Sequence, residues 1–195
     1  MPPKILFLIL TLLFLPAQIQ AGQPDAPFGL KWGMTQKQIK ALGVELNALE
    51  EGIYSSKSLP RNMEWADTYV LMIDPGLGLT RIAAYTGNIL NDPHGQQGRR
   101  IYFKLKGELQ KNMVLIYSEE KNAGTPGVTP PPGQSFYTCL GEGPCGAWYS
   151  NFVKEKINAQ IILEALDANA GFASVIYEHS GLVQKLKNRR PAAKP

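Results

Sequence analysis

The sequence predicts an α+β domain: a single antiparallel sheet with two main helices packed on one of its faces. Two observations favour this class. A capped helix near residue 36 and an amphipathic helix near residue 101 are each followed by short apolar segments that turn residues separate, as in antiparallel strands. The order of one helix and then several strands occurs twice, which indicates a degenerate helix-plus-strands repeat.

The first 21 residues have the order of a secretory signal peptide. Lys4 supplies a positive charge, residues 5–15 are apolar except for Thr11, and Ala21 is a small residue at the expected cleavage site. The apolar run is shorter than the roughly 20 residues that a membrane-spanning helix needs. We therefore expect cleavage near Ala21 and a periplasmic or secreted mature protein. An N-terminal membrane anchor is the alternative.

Residues 36–42 carry the start and stop signals of a short helix. Thr35 is the predicted N-cap, and Gln38 is placed to complete a capping box. Gly43 follows where a glycine commonly ends a helix. Downstream, residues 67–74 and 79–86 flank a Pro-Gly turn, which predicts a β-hairpin whose first strand is central in the sheet.

The second helix is predicted to open at residues 91–93, with proline in its first position. Its apolar face is formed by Ile101, Tyr102, Leu105, Leu109 and Met113. The opposite face carries a basic ridge of Arg100, Lys104 and Lys111, and Phe103 lies off the apolar stripe. An exposed aromatic residue beside basic ones is typical of a partner anchor, so these four residues are candidate partner-binding residues. A solvated helix face and core packing of the ring are the alternatives.

The C-terminal half is predicted to hold four or five strands and a short final helix over residues 181–187. The strand segments are 114–117, 136–140, 147–153, 157–166 and 172–177. Residues 119–135 are rich in proline and glycine and predict a long loop, which is a candidate partner-binding segment. Trp148 and Tyr149 are neighbours in one strand and must point to opposite faces. We expect one in the core and the other exposed, and both are candidate partner-binding residues.

The two cysteines, Cys139 and Cys145, are separated by five residues. Export implies an oxidising compartment, so a disulfide between them is the default prediction. The closed loop is short, and its stabilising effect is about 2 kcal/mol. The spacing does not fit a redox Cys-x-x-Cys motif, and the absence of a nearby histidine makes the pair a poor zinc site.

The formal net charge of +4 belongs to the C-terminal tail rather than to the fold. Residues 185–195 hold five basic and no acidic residues, whereas residues 22–184 hold 14 basic and 16 acidic residues. We predict a single domain over 22–184 and a basic, disordered tail over 185–195 that makes at most a weak contact with an anionic surface. The tail residues named for that contact are Lys185, Lys187, Arg189 and Arg190. A near-neutral exported fold argues against nucleic acid as a partner.

No known catalytic motif occurs in the sequence: there is no His-Glu-x-x-His, Gly-x-Ser-x-Gly, P-loop or dinucleotide fingerprint. The two histidines, His94 and His179, are interpreted as surface or capping residues. We therefore predict that the protein is not an enzyme and has neither a cofactor nor a metal site.

The start of the first helix resembles a known exported family. Residues 33–35, the capped helix and Gly43 resemble the start of the SmpA/OmlA-type outer-membrane assembly lipoproteins and the helix-plus-strand units of the β-lactamase-inhibitor-protein fold. The chain departs from the lipoprotein family because it lacks a lipidation cysteine near the cleavage site. Residues 28–34, 69–74 and 145–148 together resemble a family of uncharacterised bacterial exported proteins. The first resemblance implies binding to another protein, and the second carries no information about activity.

These observations predict an exported, non-enzymatic protein that binds another envelope protein. The sheet face or rim, the loop over residues 119–135 and the cysteine loop are the candidate surfaces. Two alternatives stay open: an inhibitor or immunity protein of an exported enzyme or toxin, and a cell-wall or small-molecule binding module.

Overall fold

The computed structural model describes residues 24–120, 133–142 and 147–189, and one antiparallel sheet of eight strands lies at its centre. The strands are β1 (Asn47–Glu50), β2 (Ile53–Ser56), β3 (Ala66–Asp74), β4 (Gly78–Thr86), β5 (Val114–Glu120), β6 (Trp148–Lys154), β7 (Ile157–Asp167) and β8 (Ala170–His179). The helices are a 3-10 turn (Pro27–Gly29), α1 (Gln36–Ala41), α2 (Gln96–Gln110), α3 (Phe136–Glu142) and α4 (Ser180–Arg189). The predicted α+β class with a single antiparallel sheet is confirmed.

The sheet consists of two four-stranded meanders that meet in the middle. The strand order is β1-β2-β3-β4-β8-β7-β6-β5, so each half follows the chain from an outer edge inward. The two halves join where β4 pairs antiparallel with β8, with Ala84 opposite Val175. Helix α1 precedes the first meander and α2 precedes the second, which differs from the first in having α3 between β5 and β6.

The core lies on one face of the sheet, under the helices. Ile39 of α1 packs in a cluster with Leu71 of β3 and Ile82 of β4. In the second half, Tyr102 of α2 and Tyr137 of α3 belong to a cluster that shares the same face of β6, β7 and β8. The predicted packing of the two main helices on one face follows from these clusters.

Local capping explains why α1 forms where the sequence predicts it. The hydroxyl oxygen of Thr35 accepts a hydrogen bond from the backbone N–H of Gln38, and the Gln38 side chain accepts one from the Thr35 N–H at 2.8 Å. These reciprocal bonds satisfy donors that a helix start otherwise leaves open. Gly43, just beyond the helix, has φ +82°, a conformation that glycine adopts without strain.

Two elements of the structure differ from the sequence prediction because contacts with distant segments determine them. Helix α2 begins at Gln96 instead of residues 91–93. Asp92 and Pro93 precede it in a turn that hydrogen bonds hold in place. The Asp92 carboxylate accepts from the Gly98 N–H at 2.8 Å, and the Pro93 carbonyl accepts from the Phe136 N–H at 2.7 Å. The strand predicted over 136–140 is wrong: this segment is α3, and its first two side chains are both buried, which alternation in a half-buried strand does not allow.

Three further boundaries require correction. Strands β1 and β2 were not predicted, because β1 is exposed throughout and carries no apolar alternation. Strand β5 continues to Glu120, so regular structure extends into the loop predicted from residue 119, whose residues 121–132 lie outside the described part. Helix α4 runs to Arg189, so residues 185–189 are helical and not a disordered tail. Arg190 and the rest of the tail, and the predicted signal peptide, lie outside the described residues.

Candidate functional site

The face of the sheet that points away from α1, α2 and α3 is referred to here as the open face. Alternation along the strands and the pairing register together assign residues to it. Its apolar and aromatic members include Val70, Met72, Tyr85, Tyr149, Val153, Ile162, Phe172 and Ile176. All eight are half-buried, so each keeps part of its surface accessible.

A polar cavity of about 420 Å³ lies near the middle of the open face. An ion pair between Arg81 of β4 and Glu178 of β8 borders it. Three carboxamide side chains, Asn151, Asn158 and Gln160, line it from β6 and β7. Within the described residues these three amides form no side-chain hydrogen bond. The cavity therefore presents both donors and acceptors to whatever covers the open face.

An aromatic pair and a carboxylate form a second cluster on the open face. Tyr85 of β4 and Phe172 of β8 have ring centroids 6.0 Å apart, and Glu164 of β7 lies directly opposite Phe172 in the ladder. The Glu164 carboxylate accepts a hydrogen bond from the Ser174 hydroxyl at 3.4 Å. Burial raises the pKa of Tyr85, and the negative charge of Glu164 raises it further.

A second aromatic pair lies at the β5 edge of the open face. The rings of Tyr117 and Tyr149 have centroids 5.6 Å apart, and the Tyr117 hydroxyl donates to Glu119 at 3.3 Å. Hydrogen bonding with Tyr117 is the main cause that raises the pKa of Tyr149 to about 12, with Glu119 contributing. Strand β5 also exposes two aliphatic side chains, Val114 at 66% and Ile116 at 61%.

The candidate residues predicted from the sequence do not converge on one site. Arg100 and Lys104 are exposed on α2, and Lys111 is exposed just beyond its C-terminal end. Phe103 is 43% exposed, and the rest of its ring packs on Tyr102. This basic ridge lies on the helical side of the sheet, whereas the open face is on the other side.

Trp148 and Tyr149 point to opposite faces, as predicted. Trp148 is 1% exposed and its ring packs against Tyr102, Phe103 and Phe136, so it lies in the core, and its role in binding a partner stays a prediction. Tyr149 lies on the open face. Cys139 is buried, but Cys145 lies outside the described residues, so the disulfide stays a prediction.

A buried polar network holds α2 on strands β5 and β6. Lys106 of α2 forms an ion pair with Glu120 and donates to the Ser118 hydroxyl at 2.9 Å. The Ser150 hydroxyl lies 2.6 Å from the Tyr102 hydroxyl and 2.8 Å from that of Ser118. Burial acts to raise the pKa of Glu120, but hydrogen bonds from Lys106 and Ser118 hold it below its ordinary value.

This network contains a serine and a lysine within hydrogen-bond distance, a combination that some hydrolases use for catalysis. Lys106 also forms an ion pair with the carboxylate of Glu120. The contacts of the network join α2 to strands β5 and β6.

A cleft of mixed polar and apolar lining separates the two halves on the helical side, and Arg61, Glu108, Asn112 and Lys154 are among its polar residues. Its inner cavity, of about 490 Å³, is lined by Phe28, Met63, Trp65, Leu109, Met113 and Tyr177, among others. An outer cavity of about 830 Å³ shares Met113 and Tyr177 with it and reaches His179. Burial raises the pKa of Tyr177 and lowers that of His179. The indole N–H of Trp65 is buried without a hydrogen-bond partner.

In the described ranges, no three histidine, cysteine, aspartate or glutamate side chains are grouped so that they could hold a metal ion. None of the helices in the described ranges has both the length and the apolar character to cross a bilayer. Comparison with protein-family models, curated proteins and solved structures gave no match to this chain.

Proposed function

We propose that this chain is an exported, non-enzymatic protein that binds another protein of the cell envelope through its open face. The observation that carries the proposal is a broad sheet face with accessible apolar and aromatic side chains on strands β3 to β8 and no helix α1, α2 or α3 over it. Surfaces of this kind, with a polar centre among apolar residues, are common in protein interfaces.

The size of the open face supports a protein as the partner. Eight strands about 4.8 Å apart span roughly 34 Å across the sheet. The central strands, β3, β4, β7 and β8, contain 9 to 11 residues. At about 3.3 Å per residue they extend roughly 30 Å, so the face covers on the order of 1,000 Å², comparable with the roughly 800 Å² that each partner buries in a standard interface.

Export rests on the order of charged, apolar and small residues before Ala21, and the absence of catalysis rests on the missing sequence motifs. The network at Lys106 is compatible with a structural role, since Lys106 forms an ion pair with Glu120 and a hydrogen bond with Ser118 that hold α2 on the sheet. The predicted contact with an anionic surface stays a secondary proposal for Lys185, Lys187, Arg189 and Arg190. The first three of these residues lie in the C-terminal half of helix α4.

The direct test is capture of partners by the tagged mature protein, residues 22–195, from a crosslinked envelope extract. Ile162→Glu places a charge in the centre of the open face, and Lys37→Glu alters the exposed side of α1 as the matched control. We expect one stoichiometric partner with the wild type and the control, and its loss with Ile162→Glu. Equal capture by both variants would contradict binding through the open face. Thermal unfolding of each variant must first show that the fold is intact.

The same experiment tests the alternative hypothesis that the chain is an inhibitor or immunity protein. If the captured protein is a hydrolase or toxin whose activity falls on 1:1 binding, the chain is an inhibitor or immunity protein. A structural envelope protein as the captured species supports the first proposal instead.

A small-molecule binding module is the second candidate, and the cleft between the two halves favours it. Its inner volume of about 490 Å³ lies within the range of roughly 300–1,000 Å³ that is usual for ligand pockets. Native mass spectrometry of protein purified without detergent tests it. A bound mass that is lost on Met113→Trp, which narrows the cleft, would support this candidate, and a ligand-free protein would count against it.

A further inference from the structure

We propose that the cluster of Tyr85, Phe172 and Glu164 on the open face receives a lysine or arginine side chain of the protein partner. This inference rests on the proposed function and adds the chemistry of the partner: a surface that combines positive charge with apolar residues.

The charges of the open face point to a basic partner. Arg81 is paired with Glu178, and at the rim Lys57 is paired with Asp67 at 2.8 Å, so these four charges compensate one another. Glu164 differs, because its hydrogen-bond partner is the neutral hydroxyl of Ser174. No lysine or arginine in the described ranges forms an ion pair with it. A cation from outside would supply the missing charge.

The surroundings of Glu164 suit the head of a lysine or arginine side chain. Phe172 lies directly opposite Glu164 in the ladder of β7 and β8, and its ring centroid is 6.0 Å from that of Tyr85. The faces of aromatic rings attract cations. A guanidinium group in particular stacks on an aromatic face and donates to a carboxylate at the same time. All three side chains are half-buried, so the site is shielded from water but reachable.

Neighbouring residues offer contacts for the aliphatic stem of the incoming side chain. Leu166, two residues along β7 from Glu164, is 52% exposed. Ile162, two residues in the other direction, is half-buried on the same face. A long basic side chain buries its methylene groups on such surfaces while its head reaches the charge.

The test uses two short peptides as probes, acetyl-Leu-Arg-Leu-Arg-Leu-amide and the same peptide with glutamate in place of arginine. Each is titrated into the mature protein and followed by two-dimensional amide NMR. We expect the arginine peptide to shift the resonances of residues around Tyr85, Glu164 and Phe172, and the glutamate peptide to leave them unchanged. Equal shifts with both peptides, or no shifts with either, would overturn the inference.

Two charge-removing variants sharpen the result. Glu164→Gln should weaken binding of the arginine peptide by about tenfold or more, because a charge-assisted hydrogen bond is lost. Glu50→Gln, at the exposed β1 edge, is the matched control and should bind as the wild type does. Unchanged affinity of Glu164→Gln overturns the inference.

Failure of this inference and failure of the proposed function give different results. If the envelope partner is still captured by Glu164→Gln but not by Ile162→Glu, the open face binds a protein without using this cluster. If Ile162→Glu captures the partner as well as the wild type does, the proposed function itself fails, whatever the peptides show.

Discussion

Replacement of Lys106 by methionine is the sharpest test of how α2 is held on the sheet. Lys106 and Glu120 form an ion pair whose side chains are only 14% and 18% exposed. Methionine keeps most of the aliphatic stem but removes the ammonium group, so the Glu120 carboxylate is left with hydrogen bonds from the hydroxyl groups of Ser118, Tyr102 and Ser150. Breaking a fully buried pair costs about 3–5 kcal/mol; with this residual exposure we expect a loss of about 2–3 kcal/mol in the free energy of unfolding.

Urea unfolding followed by tryptophan fluorescence measures this loss, and thermal unfolding should show a decrease in Tm of roughly 4–10 °C. The double variant Lys106→Met with Glu120→Leu removes both charges together. It should recover part of the stability, since no uncompensated charge remains. A loss below about 0.5 kcal/mol for the single variant, the range of ordinary surface substitutions, would refute the argument that the pair is buried and coupled.

The effect should also depend on pH in a defined direction. The folded-state pKa of Glu120 is lowered, so its contribution to stability is present above its ordinary pKa of 4.5 and is lost as the pH falls through the lower folded value. The stability difference between the wild type and Lys106→Met should therefore be largest near neutral pH and shrink in acid. A difference that grows below pH 4 would contradict this assignment.

Three other measurements address the fold. Asp92→Ala should lower the free energy of unfolding by about 2–3 kcal/mol, because the Gly98 N–H loses its buried acceptor. Asp92→Asn keeps an acceptor oxygen and should lose less stability. Equal losses for the two variants would contradict the role of Asp92 as the acceptor for Gly98. Gly78→Ala should cost at least about 2 kcal/mol, since Gly78 has φ +71° and a Cβ there would overlap the backbone carbonyl of Gly33; wild-type stability would refute it. Alkylation of the intact, unreduced mature protein should leave Cys139 unmodified, and a gain of two alkyl groups by mass spectrometry would disprove the predicted disulfide.

The elements that the sequence predicts well are those with local causes. The capping box of Thr35 and Gln38 spans four residues, and both of its hydrogen bonds form as expected. Strand β7 was recognised because Ala159, Ile161 and Leu163 alternate with more exposed residues, and all three are buried. In both cases the information lies within one turn or one strand, where propensity and periodicity act.

The elements that were missed depend on contacts between distant segments. Helix α3 is fixed by a hydrogen bond from Phe136 to Pro93 and by burial of Tyr137, whose hydroxyl donates to Asp92. Strand β1 has no apolar alternation and forms because β2 offers it an edge for pairing. A stretch of ten residues of sequence reveals neither of these long-range contacts.

The candidate site shows the same division. That Trp148 and Tyr149 would face opposite ways follows from strand geometry and is confirmed. The cluster of Tyr85, Phe172 and Glu164 could not be predicted, because it depends on the register of β4, β8 and β7, which side-chain packing across the whole sheet sets.

The joint between the two meanders has a consequence for how the chain folds. Each meander consists mainly of hairpins between strands adjacent in sequence, whereas pairing of β4 with β8 joins residues about 90 positions apart, such as Ala84 and Val175. Closing so long a loop is entropically unfavourable before the new contacts form. The two halves are therefore expected to nucleate separately and to dock late. The transition state for folding should then be sensitive to side chains within each meander and much less so to those along the central joint.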